Sequence, residues 1–436
     1  VKSCLITAIS QPIQGFLALK PTCSGNWYAP VPIEKSKSYT LALPQKDWTC
    51  VLFHSGADLA ADWDTAAPKD NLFLSKTYLS ALEQYAPEGM KFAYGVFYFQ
   101  EKPVGVACCQ LLTFNAAEHV QGLSEPGRNI AQWLKQRVAA STKIPLLIFG
   151  NMLLTGDHAF YFNAEYADGT LSAQLLGSAA GLLCNGNVIP GFEASATLIK
   201  DFEAQHAPFT TKLREGGFHE IPFQPNMRMA LRPEWQKFDD YIEAMSSKYR
   251  VRARRAFRKL DGVERRELNL DAVKELDVQL HTLYCSVARH ADFNMITLHP
   301  QYFSGLKAAL EDRFRIWGYF LDGALLGFHS AIYNGDELEA HFLGFQDIHN
   351  ADFQLYLNML YDMVREAFAA GASQIVFSRT ATEIKSSIGA EAFETYCYLR
   401  HCNPVVHAMT QALVGYLAPK ETWTPRHPFR EGEPVV

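Results

Sequence analysis

GFQDIHNADFQLYLNMLYDMVREAFAAGASQIVFSRTATEIKSSIGAE, residues 344–391, sets the architecture for the rest of the chain. Phe353, Tyr356, Leu360, Met363, Val364, Ala367 and Phe368 recur at steps of three and four, which predicts an amphipathic helix. Gly371 falls where a left-handed cap would end it. Gln374-Ile375-Val376-Phe377-Ser378 is a short apolar, β-branched run of the kind found in buried strands. Thr380-Ala381-Thr382-Glu383 fits a capping box, so a second helix is expected to begin there and stop near Gly389. Arg379 then stands at a strand end, beside the free N–H groups of that helix, with Lys385 one turn inside; this is an expected anion site. The same spacing also suits Thr380 as a simple cap, with Arg379 and Lys385 as solvated surface charges.

The chain of 436 residues has room for two or three domains. Its 48% hydrophobic and 20% charged residues are those of an ordinary globular protein. A net charge of -6 argues against a globally basic nucleic-acid-coating protein, though not against a local basic patch. Nine cysteines, with Cys108 and Cys109 adjacent and no C-x-x-C pair, speak against a disulfide framework and a structural zinc site, and fit a reducing cytoplasm. The first twenty residues lack a basic n-region and are interrupted by Gln11, Pro12 and Gln14, so neither a leader nor a membrane span is expected there. The opening Val fits a trimmed or alternative start.

Residues 38–43 and 49–53 read as strands. FLSKTYLSALEQYAP is a helix, and KFAYGVFYFQ and VGVACCQLLTF are strands about the turn Glu101-Lys102-Pro103. A polar helix is expected over 126–140, a buried strand in IPLLIFGNMLLT, a helix over 171–183, and strand residues broken by Pro222 and Pro225 in GFHEIPFQPNMRMAL. The order then returns. LHPQYFSGLKAALE is a helix, FRIWGYFL and LLGFHSAIY are strands, and Asn334-Gly335 turns the chain into LEAHFLGF. Tyr78-Leu79-Ser80-Ala81-Leu82 lies over Tyr302-Phe303-Ser304-Gly305-Leu306, Gly95 near Gly318 and Gly105 near Gly327. A period of roughly 220 residues is too long for a solenoid and predicts two copies of one α/β domain.

Between the copies, residues 248–266 hold nine Lys or Arg against Asp261 and Glu264. Tyr249, Ala253, Ala256, Phe257 and Leu260 form one apolar helical face, and Arg250, Arg254 and Arg258 line another. A helix over 247–260 docked by its apolar face would present an arginine comb suited to phosphate oxygens, or simply a solvated basic face.

SSKYRVRARRAFRKL, followed by GALLGFHSAIYNGDELEAHFLGF and then LYDMVREAFAAGASQIVFSRTATEIKSSIGAE, resembles the FemAB-like branch of the GNAT acyltransferase superfamily. That branch includes proteins labelled peptidoglycan biosynthesis or BioF2-like acetyltransferases. GNMLLTGDHAFYF and PFQPNMRMAL are similar to the same group, and the likeness runs from about Asn71 to Pro404. The resemblance implies an α/β fold of two tandem GNAT-like domains, each a mixed, mostly antiparallel sheet flanked by helices, with a cleft between them. It implies transfer of an acyl or aminoacyl group to an amine, with acyl-CoA or aminoacyl-tRNA as donor and a cell-wall precursor as acceptor. The family's substrate-linked lysine falls on Lys385. A coenzyme A domain usually carries a Gln/Arg-x-x-Gly-x-Gly/Ala loop for the pyrophosphate, whereas Gln346-Asp347-Ile348-His349-Asn350-Ala351 has no glycine, and Tyr166-Ala167-Asp168-Gly169-Thr170 does not match either.

The expected division is 1–60 as an extension with short strands, 61–232 and 233–410 as the two domains, and 411–436 as an irregular tail. Amide formation needs a base for the amine and a donor for the oxyanion. Glu339 and His341, on one face of the return strand, are the base candidates, with His329 on the partner strand; each also suits an ordinary strand position. Substrate contacts are expected from Lys385, Arg379, Thr380, Arg250, Arg254 and Asn151, the last of which could equally cap a turn. Asp157 and His158 have no further ligand at metal spacing, so no metal is expected. Two other readings stay open. One is a non-catalytic binder of an anionic ligand. The other is an RNA-binding protein that uses the basic helix.

Overall fold

The computed structural model describes residues 38–115, 143–156, 158–185, 192–203, 206–290, 296–408 and 423–429. The helix expected at 126–140 and the side chain of Asp157 lie outside them. β1 (Tyr39–Ala42) and β2 (Trp48–Phe53) precede α1 (Ala61–Ala66) and α2 (Lys76–Gln84). β3 (Lys91–Phe99), β4 (Lys102–Asn115), β5 (Lys143–Phe149) and β6 (Phe160–Phe162) follow. Then come α3 (Gly169–Asn185), β7 (Ala196–Glu203), α4 (Ala207–Glu215) and β8 (His219–Ala230). The second half opens with α5 (Phe238–Ala244), α6 (Ser247–Lys259), β9 (Glu264–Glu267), α7 (Leu270–Ala288) and α8 (Tyr302–Leu310). It continues with β10 (Phe314–Leu321), β11 (Ala324–Asn334), β12 (Glu337–Phe345), α9 (Asp347–Phe353) and α10 (Leu355–Ala370). β13 (Gln374–Ser378), α11 (Thr382–Ser386) and β14 (Glu391–His401) complete it.

The predicted helix and strand at the heart of the second half are both present. α10 ends at Gly371, whose φ of 67° is the left-handed cap its position requires, and its N–H returns to the carbonyls of Ala367 and Phe368. β10, β11 and β12 are antiparallel, and β12 and β13 run parallel across the α10 crossover. The first half repeats this with β3, β4 and β5 antiparallel and β5 parallel to β7 across α3. Each half is a mixed, mostly antiparallel sheet flanked by helices.

The halves share one sheet, in the order β1-β2-β3-β4-β5-β7-β14-β8-β13-β12-β11-β10-β9, with β6 on β4. Its centre is symmetric. β14, the last strand of the second half, lies on β7 of the first; β8, the last strand of the first half, lies on β13 of the second. β14 and β8 pair with each other antiparallel between them. The halves have therefore exchanged their final strands about a local twofold.

One face of this sheet carries a core common to both halves, in which Trp63, Tyr78 and Leu82 meet Leu280, Tyr302, Phe303 and Phe328. On the opposite face, α3 and α4 cover the first half through Leu175, Leu176 and Leu213. α5, α6 and α10 cover the second through Tyr241, Ala253, Ala256, Leu360 and Val364. Cys108 and Cys109 are buried in β4, as their mid-strand position suggests.

Several local expectations are corrected. β8 is continuous through both prolines. Pro225 falls where the β14 ladder slips between Phe393 and Thr395, and Pro222 lies outside the stretch of β8 that pairs with β13. β5 ends at Phe149, and GNMLLT is a loop. The capping box at Thr380 does not form. Thr380 is exposed at φ 66°, the N-cap is Ala381 at φ 48° with no side-chain bond, and α11 has only five residues. Cys184 of α3 and Cys402 after β14 form a single disulfide with Cα atoms 5.5 Å apart, where the odd count and spacing of the cysteines spoke against a disulfide framework.

Candidate active site

β12 and β13 are paired only over Glu337–Glu339 and Gln374–Val376. Beyond that β12 continues to Phe345, while Ser378 of β13 pairs with Met227 of β8, so the strands part just after Glu339. Glu339 is 2% exposed at this fork. Its Oε1 lies 3.7 Å from Nε2 of His158, which comes from the loop after β5 in the other half. Burial pushes the Glu339 carboxyl above the usual carboxylate range, and His158 works against that shift. A carboxylate buried with one distant partner is costly to keep ionised and is correspondingly ready to accept a proton.

Tyr78 and Asn151 back this pair. Asn151 Nδ2 donates to the Tyr78 hydroxyl at 2.8 Å, and its Oδ1 accepts from the Leu153 N–H at 2.9 Å. Asn151 thus shapes the turn that carries His158, and it is buried. His341 follows two residues along β12, toward the same shared core as Glu339. The register slips at His341 and Phe342, opposite Ser330, whose hydroxyl accepts from Phe342 N at 3.1 Å and donates to Phe342 O at 2.8 Å. His341 Nε2 sits 2.8 Å from the Tyr302 hydroxyl, and burial holds its imidazole neutral, with a pKa near 3. His329 is fully buried against Trp317 and 3.1 Å from the Tyr319 hydroxyl.

The other flank of the loop is clamped by charges that the sequence reading passed over. Lys200 Nζ donates to the carbonyls of Asn151 (3.0 Å) and Leu154 (2.8 Å), and it touches the Asp201 carboxylate. Burial and the charge of Arg379 push the Lys200 ammonium down, while the Asp201 contact opposes this. Asp201 also accepts from Gly156 N at 3.1 Å and forms an ion pair with Arg379. A Lys-Asp pair inside the otherwise apolar ATLIKDFE was the available signal. Arg379 therefore joins the second half to the first: it lies over the Phe223 ring and donates to Gln224 O at 3.2 Å.

Lys385 does not face a cleft. It is buried, and its ammonium donates to the carbonyls of Ser378 (3.3 Å) and Arg379 (2.5 Å). It stitches a corner in which Ser378, Thr380 and Ala381 all have positive φ. Burial pushes its pKa down to about 7. Arg250 and Arg254 are not gathered with it. Arg250 donates to the carbonyls of Glu243 (3.0 Å) and Met245 (3.1 Å), and Arg254 donates to the Glu243 carboxylate at 2.7 Å. The segment without glycine after β12 folds as α9, whose last carbonyls, Ala351 and Asp352, accept from Lys259. Among the described residues no cluster suits a metal ion, and no helix is long and apolar enough to cross a membrane.

Residues 247–386 match the model of the acetyltransferase (GNAT) domain family. No curated protein sequence matches the chain. Among solved structures, FemX is 13% identical with a TM-score of 0.50, over 83% of this chain and 99% of that one. A tandem GNAT protein from the clavulanic acid biosynthesis pathway is 11% identical with a TM-score of 0.47, over 85% and 99%. L-PGS from Bacillus licheniformis is 9% identical with a TM-score of 0.39, over 78% and 96%. Residues 247–386 thus match the acetyltransferase (GNAT) domain family, and the fold of the chain is similar to that of FemX.

Proposed function

We propose that this chain is an N-acyltransferase whose base is Glu339, with the second domain (233–410) holding the site and the first (61–232) supporting it. The observation that carries this reading is the buried Glu339–His158 contact at the fork between β12 and β13. At the corresponding fork of the first half, the residues of β5 paired with β7 are Leu146, Leu147, Ile148 and Phe149, none of which can accept a proton. The amine nitrogen attacks the acyl carbonyl, a C–N bond forms, and the nitrogen's proton passes to Glu339. The bond to the donor's leaving atom breaks, and that atom takes up a proton. The acceptor that the family resemblance implies is an amine of a cell-wall precursor. Folding of residues 347–353 as α9 rather than as a glycine loop supports a donor other than an acyl-CoA held in the usual way.

The test is a screen of purified protein against acyl-CoAs and aminoacyl-tRNAs with amine acceptors, reading the amide product by mass spectrometry. Glu339→Gln keeps the shape and should lower turnover by roughly 10²–10⁴-fold, the usual weight of a general base. The acid limb of the rate profile should lie above the ordinary carboxylate range, because burial raises the Glu339 pKa. Full activity in Glu339→Gln would end the assignment. No product with any donor would leave binding of an anionic ligand as the function.

A further inference from the structure

The first turn of α6, α11 and the segment 423–429 border an open cavity of about 470 Å³, lined by Lys248, Tyr249, Arg252, Glu383, Ile384 and Arg426. Fixed contacts bring Arg426 there. Ser246 N donates to Pro428 O at 2.8 Å, Arg426 N donates to Ser386 Oγ at 3.0 Å, and Phe429 lies against Trp235 and Tyr241. Three cations face one carboxylate, and Glu383 already accepts from Arg426 Nε at 3.0 Å. Lys248 and Arg252 have no acidic partner among the described residues, in a chain whose net charge is -6. Like charges gathered around a small cavity repel one another until an anion enters. The half-buried ring of Tyr249 and the side chain of Ile384 supply a flat, apolar wall.

We propose that this cavity binds a small phosphorylated ligand of the nucleotide or diphosphate class. Arg252, Lys248 and Arg426 take the phosphate oxygens, and Tyr249 lies beside the organic part. Guanidinium forks suit such oxygens, and the site's two surplus positive charges match a diphosphate better than a neutral ligand. The nearby Arg250 and Arg254 are excluded because Glu243 and its neighbours hold them.

The test is calorimetry of the full chain with sodium pyrophosphate and with ADP, which needs no turnover and so stands apart from the transferase assignment. Pyrophosphate should bind with a dissociation constant below about 1 mM. Arg252→Ala and Lys248→Ala, both exposed and without an acidic partner among the described residues, should each weaken it by about tenfold or more. Arg254→Ala should leave it unchanged. ADP should bind more tightly than pyrophosphate, and Tyr249→Ala should erase that difference while pyrophosphate affinity is kept. No heat with either probe, or affinity indifferent to Arg252→Ala, would overturn the site. So would binding of a short RNA that pyrophosphate fails to displace, since that would make the region a polyanion surface rather than a pocket.

Discussion

Replacing Lys385 with Met should alter how stability depends on pH. The folded-state pKa of this ammonium is about 7, and burial is the cause. In the unfolded chain it returns to about 10.4. Below the folded value both states are protonated, and the cost of burying the charge is fully present. As pH rises above it, the folded state releases its proton while the unfolded state keeps one, so wild-type stability rises. Between about pH 6 and about pH 9.5 this group alone should add about 3 kcal/mol. Lys385→Met keeps the stem in its buried slot and removes the titration. It also loses the donor to the Ser378 and Arg379 carbonyls, an offset of about 1–3 kcal/mol that does not vary with pH. Urea unfolding of both proteins, followed by far-ultraviolet circular dichroism across that range, isolates the difference. The variant's profile should be flatter by about 3 kcal/mol. Parallel profiles would show that the ammonium is solvated and that the buried stitch does not exist.

Two further outcomes follow from packing and from the cross-link. A Cβ on Gly344 would lie 2.5 Å from main-chain atoms of Leu283 and Tyr284, so Gly344→Ala should push α7 off β12 and cost about 1–3 kcal/mol in denaturant titration. The Cys184–Cys402 bridge joins positions 218 apart, so Cys184→Ser or added reductant should lower stability by about 3–5 kcal/mol; an unchanged midpoint, or a free-thiol mass in the untreated protein, would show that the bridge is not made.

The elements legible in the sequence were those specified by local chemistry. α10 announced itself through its apolar stripe and Gly371, and β10 to β12 through their alternation and the Asn334-Gly335 turn. The duplication was also legible, because Tyr78 and Tyr302 occupy corresponding helices and both are fully buried in the shared core. Partnerships between distant segments were hidden. Nothing in EAFETYCYLRH says that β14 will lie on a strand of the other half. Pro222 and Pro225 looked like breakers because their tolerance depends on which β8 edge is paired and where the ladder slips. Thr380 matched a capping box in composition, but the left-handed backbone at Thr380 and Ala381 forbids the geometry. Glu339 could be named from its strand position. Its partner His158 could not, because a contact across the halves leaves no spacing to read.

The strand exchange at the centre of the sheet has a consequence for synthesis of the protein. β7 is complete once residue 203 has left the ribosome, but its neighbour β14 ends at residue 401, about two hundred residues later. Throughout that interval the first half carries an open edge of unsatisfied N–H and C=O groups along a strand as apolar as ATLI. β8 meanwhile waits for β13. A nascent chain in this condition is a ready template for pairing with a second copy, in which the β14 of one molecule fills the vacancy in another. Stalled translation, or a truncation anywhere before His401, should therefore yield aggregates or intertwined dimers rather than a free-standing first half.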